Sequence, residues 1–276
     1  MEYRASTILI SGGASGIGFA LARRFLSLGA TVIACGRRAE RLRLAQEQAP
    51  GLHAIQCDLA QEEERLRLAE QVTRDFPSLN VVINNAGIQN RPPPLKQQQS
   101  WSDYRREVAT NLEAPMHLSM LLVPHLLHAK EAAIINVTSG LAFAPMSFMS
   151  CYCATKAALH SFTLSLRHQL KGTSVSVIEV VPPKVNTDLG GKGLHDDGAP
   201  LEEYAEAAFQ GIIEGKLEIG FGTSELLRRA SREQLPSRRR KQPVKSSAYE
   251  ARRLLLLNFQ NGRTVSLVDC SFTDFH

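Results

Sequence analysis

Thr7-Ile8-Leu9-Ile10-Ser11-Gly12-Gly13-Ala14-Ser15-Gly16-Ile17-Gly18 decides the reading of the fold. Thr7 to Ile10 form a short β-rich run of the kind found in a buried parallel strand. The glycine-rich turn follows at once, and then Phe19, Ala20, Leu21, Ala22, Phe25, Leu26 and Leu28 recur at helical spacing. Glycine lets the chain turn sharply and lets backbone N–H groups approach a pyrophosphate, which the helix N-terminus stabilises. The same glycines also suit a purely structural turn. A strand before and a helix after raise the nucleotide reading above that alternative.

The pattern repeats outward from there. Gly29-Ala30 ends the helix, and Thr31 to Cys35 read as a second strand closing in Gly36-Arg37-Arg38. Dinucleotide folds that prefer a free ribose 2′-hydroxyl commonly place Asp or Glu here. This chain has a small residue and two arginines, and guanidinium suits a phosphate. The arginines could equally open the next helix, 39–48. His53 to Cys57 form a third strand ending at Asp58-Leu59. Residues 61–76 form a helix with Leu66, Leu68, Ala69, Val72 and Phe76 inward, and Val81 to Ile83 run into Asn84-Asn85-Ala86-Gly87. Strand and helix alternate throughout, which predicts an α/β fold: a doubly wound parallel sheet of Rossmann type in three α/β/α layers.

Pro92-Pro93-Pro94 and Gln97-Gln98-Gln99 mark a surface loop. A long helix over 104–127 carries Asn111, and Pro115 and Pro124 predict a kink in it. Asn111 is either an active-site contact or a surface amide. A fifth strand, 132–137, leads into Thr138-Ser139-Gly140. A sixth, 174–181, leaves through Pro182-Pro183-Lys184-Val185-Asn186-Thr187. The Gly- and Asp-rich residues 188–200 suit a mobile lid, and a helix over 201–214 and a short strand at 217–220 complete the body.

The chemistry is expected at Cys151-Tyr152-Cys153-Ala154-Thr155-Lys156, where a helix begins. Tyr152 and Lys156 are one turn apart on one face. A phenol titrates near pH 10, and an ammonium beside it is expected to pull that value towards the working range. Ser139, at the end of a strand, would put its hydroxyl at the sheet's carboxyl edge, where open α/β sheets bind ligands. Serine, tyrosine and lysine so placed make a proton-transfer site for a carbonyl or alcohol. Tyr-x-x-x-Lys alone more often marks a half-buried tyrosine with a solvated lysine, so the surrounding motifs carry the weight.

Composition sets bounds. The 276 residues are 43% hydrophobic and 21% charged, ordinary for a globular protein. No apolar run reaches the roughly 18 residues that span a membrane, and the expected location is cytoplasmic. The five cysteines (Cys35, Cys57, Cys151, Cys153, Cys270) fit reduced thiols, and neither they nor His117, His125 and His128 have metal-ligand spacing. The net charge of +5 resides in residues 224–276, which carry eleven Lys/Arg and five Asp/Glu and leave the body near neutral. The chain therefore divides into a body, 1–223, and a basic tail, 224–276, expected to be poorly ordered. Arg238-Arg239-Arg240-Lys241 reads as a solvated run rather than a nucleic-acid or membrane contact.

With these motifs in place, residues 5–222 resemble the short-chain dehydrogenase/reductase family, nearest to its bacterial-type DltE-like group. The grounds are the glycine loop, Asn84-Asn85-Ala86-Gly87, Asn111, Ser139-Gly140-Leu141-Ala142-Phe143 and Tyr152-x3-Lys156. The resemblance implies an NADP(H)-dependent oxidoreductase acting on a small carbonyl or alcohol, with NAD(H) left open as cofactor. Tyr152 would be general acid or base, Ser139 would bind the reacting oxygen, and Lys156 the nicotinamide ribose. Asn111 would hold a water. Gly12, Ser15, Gly16 and Ile17 would line the pyrophosphate, Asp58 and Leu59 the adenine, and Asn85, Ala86 and Gly87 the adenosine ribose. Val185 and Thr187 would take the carboxamide, and the arginines read above from their own position, Arg37 and Arg38, would take the 2′-phosphate. A homodimer or homotetramer is also implied, with Leu118, Leu121, Leu122, Leu126, Leu159, Phe162, Leu164 and Leu166 as candidate interface residues. Two features depart from the family: Pro182-Pro183 replaces the usual Pro-Gly, and the basic tail replaces the usual chain end. An inactive nucleotide-binding scaffold, or an epimerase or dehydratase of the same fold, is the competing reading.

Overall fold

Seven strands form one parallel sheet in the order β3-β2-β1-β4-β5-β6-β7. They are β1 Thr7–Ser11, β2 Thr31–Gly36, β3 His53–Gln56, β4 Leu79–Asn84, β5 Ala132–Val137, β6 Val175–Val181 and β7 Glu218–Gly220. The computed structural model describes residues 1–90, 100–231 and 233–235. The loop expected at 92–99 and the tail from 236 onward, with Arg238–Lys241 and Cys270, lie outside the described residues.

Alternation along each strand sends side chains to two cores, one on each face of the sheet. Ile8, Ile10, Val32, Ala34, Val81 and Ile83 pack with Leu21 and Phe25 of α1 (Gly16–Leu28), Leu42 of α2 (Ala39–Gln48), and Tyr204 and Ile212 of α7 (Leu201–Ile213). Leu9, Ile33, Val82 and Ile134 pack on the other face. Their partners are Leu68 and Val72 of α3 (Glu62–Asp75), Leu118 and Leu122 of α5 (Ala114–Leu126), and Leu166 of α6 (Ser150–Gln169). The result is the expected doubly wound Rossmann-type sandwich in one domain. The strand order reverses between β1 and β4, which opens a crevice at their carboxyl ends.

Three expectations need correction. Leu66 does not point inward; it is 39% exposed, and the inward position one residue earlier belongs to Arg65. Arg65 is buried because its guanidinium has partners there, the Leu59 carbonyl at 2.8 Å and His117 Nδ1 at 3.1 Å. The single kinked helix is instead two, α4 (Trp101–Val108) and α5, joined by one π turn over Ala109–Glu113. Pro115 explains its position: it has no N–H to give the carbonyl of Asn111 four residues back. Finally, most of the leucines offered for an oligomer interface belong to the core. Leu118, Leu122, Leu126, Leu159 and Leu166 are buried, whereas Met120 and Leu164 are the exposed large apolar side chains within α5 and α6.

The body also runs past Thr223. Helix α8 (Thr223–Arg229) buries Ser224 completely. The Ser224 hydroxyl donates to the Val181 carbonyl at 2.6 Å and accepts from the Phe221 N–H at 3.0 Å. A Cβ on Gly140 would stand 3.1 Å from that of Ser224, so α8 packs on the turn that follows Ser139. A chain ending at Thr223 is therefore expected to melt below one ending at Leu235. The lost buried hydrogen bond alone contributes about 1 kcal/mol, and packing adds to it. Equal melting temperatures for the two truncations would refute this role of α8.

Candidate active site

The glycine turn is shaped by close backbone approach. Gly12 holds φ +65°, and a Cβ there would lie 3.0 Å from Ala86 Cα. A Cβ on Gly18 would come within 2.4 Å of Asn85 Nδ2 and 2.5 Å of the Gly12 carbonyl, so α1 enters against its own loop. The Asn84-Asn85-Ala86-Gly87 stretch stitches β4 to that loop. Asn85 Nδ2 donates to the Ser11 carbonyl at 3.0 Å, and the N–H groups of Asn85 and Ala86 both donate to Ser11 Oγ at 3.0 Å. The Asn85 amide thus serves the loop. Asn84 extends the stitching sideways, donating to Asn136 Oδ1 at 2.8 Å, and Asn136 donates to Thr163 Oγ1 at 2.9 Å.

Ser15 caps α1 in extended backbone, and its hydroxyl accepts from Arg38 Nη2 at 3.3 Å. Ile17 packs against the core. Arg37, Arg38, Gln56, Asp58, Glu64 and Arg67 line an open cleft beside the loop. A Cβ on Gly36 would meet nothing within 4 Å, which leaves room at the ribose end. Asp58 holds the cleft floor: its carboxylate accepts from Ala60 N–H at 3.2 Å and pairs with Arg106 at 2.9 Å. Leu59 faces the core instead. Arg67 and Arg106 were not singled out in the sequence, because both sit on exposed helix faces, Arg67 beside Glu64 one turn away and Arg106 paired with the distant Asp58. A helix N-terminus, backbone turned towards a groove and three arginines fit a phosphate-bearing dinucleotide.

Ser139, Tyr152, Lys156 and Asn111 are brought together and buried at the carboxyl end of β5. Ser139 Oγ accepts from Leu141 N–H at 3.1 Å, which fixes the turn. Lys156 Nζ donates to the Val137 carbonyl at 2.8 Å and lies 5.8 Å from the Tyr152 ring centroid. Asn111 pairs with both backbone groups of Ile88 at 2.8 Å and reaches Thr155 Oγ1 at 3.4 Å. Gly87 sits over this floor, its Cβ position 3.5 Å from Asn111 Oδ1 and 3.8 Å from Lys156 Nζ. Asn111 is therefore buried beside Thr155 and Lys156 and is not a surface amide.

The electrostatics differ from expectation. Burial pushes the Tyr152 phenol well above its usual value, and the Ser139 hydroxyl opposes that rise. Burial also pushes Lys156 down to about 8, with Glu107 opposing. In this structure desolvation outweighs any help the lysine gives the phenol. Glu107, one turn before Asn111 and fully buried, was also missed. Its signal was a carboxylate on the helix face that Asn111 turns inward.

Val185 is buried and bridges Ala199 in parallel register, and Lys184 pairs with Asp197, so the segment expected as a lid is tied at its base. A Cβ on Gly16 would lie 3.5 Å from Thr187, which brings the lid's foot over the glycine turn. Leu189, Leu141, Met146 and Met149 pack round Tyr152 as an apolar wall. No cluster of His, Cys, Asp or Glu that could hold a metal occurs among the described residues. No helix among them is long and apolar enough to cross a membrane.

A second network supports the site from behind. Glu179 of β6 is fully buried and accepts from Thr138 Oγ1 at 2.7 Å, and His160 Nδ1 lies 2.8 Å from its other oxygen. This ties the residue before Ser139 to the turn of α6 after Lys156. The hydrogen bond to Glu179 raises His160 above its ordinary value, with burial opposing. A raised folded-state value gives stability fully present below the unfolded value of about 6.5 and lost as pH rises through the folded one. His160→Gln is therefore expected to cost most stability at acid pH, with the gap to wild type narrowing above neutrality. Melting temperatures from pH 5 to 9 check this, and a gap that does not vary with pH would refute it.

A doubly wound sheet with a glycine-turn groove at its switch point and a buried Ser-Tyr-Lys-Asn grouping at the carboxyl end of β5 is the architecture of a nicotinamide-dependent dehydrogenase class. The chain belongs to the short-chain dehydrogenase/reductase family of oxidoreductases: residues 6–197 match the family model described as short chain dehydrogenase. The chain is 48% identical over 237 residues to the uncharacterized oxidoreductase DltE of Bacillus subtilis (strain 168), covering 84% of this chain and 94% of that protein. It is 35% identical over 186 residues to the serine 3-dehydrogenase of Agrobacterium fabrum, covering 67% and 74% respectively. Among solved structures it is similar to the closed form of serine dehydrogenase complexed with NADP+. The TM-score is 0.69 at 25% identity, with 78% of this chain and 94% of that one covered.

Proposed function

We propose that the protein is an NADP(H)-dependent oxidoreductase that interconverts a small carbonyl compound and its alcohol, with Tyr152 as the acid or base. The observation that carries this reading is the buried grouping of Ser139, Tyr152, Lys156 and Asn111 beside the glycine-turn groove. The dinucleotide supplies or accepts the hydride when bound. Ser139 orients the substrate oxygen, and the Tyr152 hydroxyl gives it a proton during reduction or takes one during oxidation. Burial keeps the phenol protonated at neutral pH, which suits the reductive direction. Lys156 holds positive charge at the far side of the tyrosine, and Asn111 fixes the Ile88 backbone and Thr155 around it.

The cofactor groove supports NADP(H) through Arg37 and Arg38 and the open space at Gly36. The apolar wall round Tyr152 and the likeness to serine 3-dehydrogenase favour a small substrate. The test is turnover of a panel of small aldehydes, ketones and 3-hydroxy acids with NADPH or NADP+. NADPH binding without turnover of any member would instead favour an inactive scaffold.

A further inference from the structure

Glu107 lies in α4 and is 0% exposed. Oε1 accepts the Asn90 N–H at 3.1 Å. Oε2 is buried with no hydrogen-bond partner among the described residues, and the Cys151 thiol stands near the carboxylate. A carboxylate taken out of water on these terms is costly unless a cation compensates it.

The cation at hand is Lys156. It too is buried, 3% exposed, and its ammonium is held by a carbonyl, that of Val137, rather than by a carboxylate. Packing of α4 against α6 brings the two residues into one neighbourhood. Glu107 and Asn111 are one turn apart; Glu107 stands against Cys151 of α6, and Asn111 reaches Thr155 one turn further on. Across Gly87, Asn111 Oδ1 and Lys156 Nζ share the same floor.

We propose that Glu107 is the counter-charge of Lys156, a positioning residue that keeps the ammonium charged and so sets the pH range of the Ser139–Tyr152–Lys156 centre. This rests on the reading of Tyr152 as proton donor. The groups that face Glu107 are Cys151, Tyr152, Cys153 and Lys156 from α6 and the Asn90 N–H from the loop after β4. Tyr152 is faced in addition by Ser139 and by Tyr204 of α7. Burial pushes Glu107 up and Lys156 down, and each charge opposes the shift in the other. Glu107 also raises the Tyr152 phenol. Removing its charge therefore lowers both Lys156 and Tyr152. In carbonyl reduction the tyrosine must be protonated and the lysine charged, so both changes move the alkaline limb of activity to lower pH.

Glu107→Gln keeps an oxygen for the Asn90 N–H and removes the charge, whereas Glu107→Asp keeps the charge. The experiment is kcat/KM for carbonyl reduction from pH 6 to 10 in wild type and both variants, with NADPH affinity by fluorescence over the same range. The alkaline limb of Glu107→Gln is expected about one pH unit lower, with NADPH affinity declining at correspondingly lower pH as the ammonium is lost. Glu107→Asp should superpose on wild type. A Glu107→Gln profile that coincides with wild type, or a Glu107→Asp profile displaced as far as that of Gln, would overturn the proposal. If circular dichroism shows that Glu107→Gln does not fold, the Asp profile decides alone. A wild type without turnover would remove the reductase reading, and the NADPH-affinity profiles would still judge Glu107.

Discussion

Tyr152→Phe is expected to lower carbonyl reduction by roughly 10²–10⁴-fold while leaving NADPH affinity within a few-fold of wild type. The substitution removes one hydroxyl from a ring that is already buried, 6% exposed, among Met149, Cys153 and the residues packed on them. Phenylalanine fills the same space, so packing and the neighbouring groove survive. What disappears is the transferable proton. The Thr155 hydroxyl on the same helix is committed elsewhere, donating to the Tyr152 carbonyl at 2.8 Å. Single-turnover reduction with saturating NADPH is the measurement. A variant that keeps a tenth or more of wild-type turnover would assign the proton to another group.

The second large effect concerns the cofactor. Wild type is expected to favour NADPH over NADH by about ten- to a hundredfold in kcat/KM, the range that one or two partly solvated charge-assisted hydrogen bonds to a phosphate produce. Gly36→Asp combined with Arg37→Ala is expected to turn that preference towards NADH. The structure makes the exchange sterically free, because nothing stands within 4 Å of a Cβ on Gly36. The new carboxylate would accept from a ribose 2′-hydroxyl and repel a 2′-phosphate. Arg38 is left in place because it also reaches Ser15 at the head of α1. Equal use of both cofactors by wild type, or a double variant that still prefers NADPH, would remove Arg37 from the assignment.

Much of this was legible along the chain because it depends on short-range pattern. Strand β5 is buried throughout and apolar but for Asn136, it leads within two residues to Ser139, and Tyr152 and Lys156 are related by one helical turn. What was not legible depends on neighbours far apart in sequence. Arg65 is buried only because His117 and the Leu59 carbonyl receive it. Ser224 belongs to the body only because Val181 accepts from it. The prolines signalled a disturbed helix, but only the position of Pro115 relative to Asn111 explains a π turn there. The spacing of Tyr152 and Lys156 was read correctly and its electrostatic consequence was not. Proximity follows from sequence, whereas desolvation depends on the completed core.

The central place of β1 has a consequence for how the chain is made. Thr7–Ser11 is synthesised before the other six strands of the sheet, yet it pairs on one side with β2 and on the other with β4, Leu79–Asn84. Until β4 emerges, one edge of this fully buried strand stays open, a template for unwanted pairing. The Ser11 hydroxyl likewise waits for Asn85 and Ala86 before the glycine turn is stitched. Contacts so distant along the chain make for slow folding. The groove, though its glycine turn precedes six of the seven strands, is among the later features to be completed during synthesis.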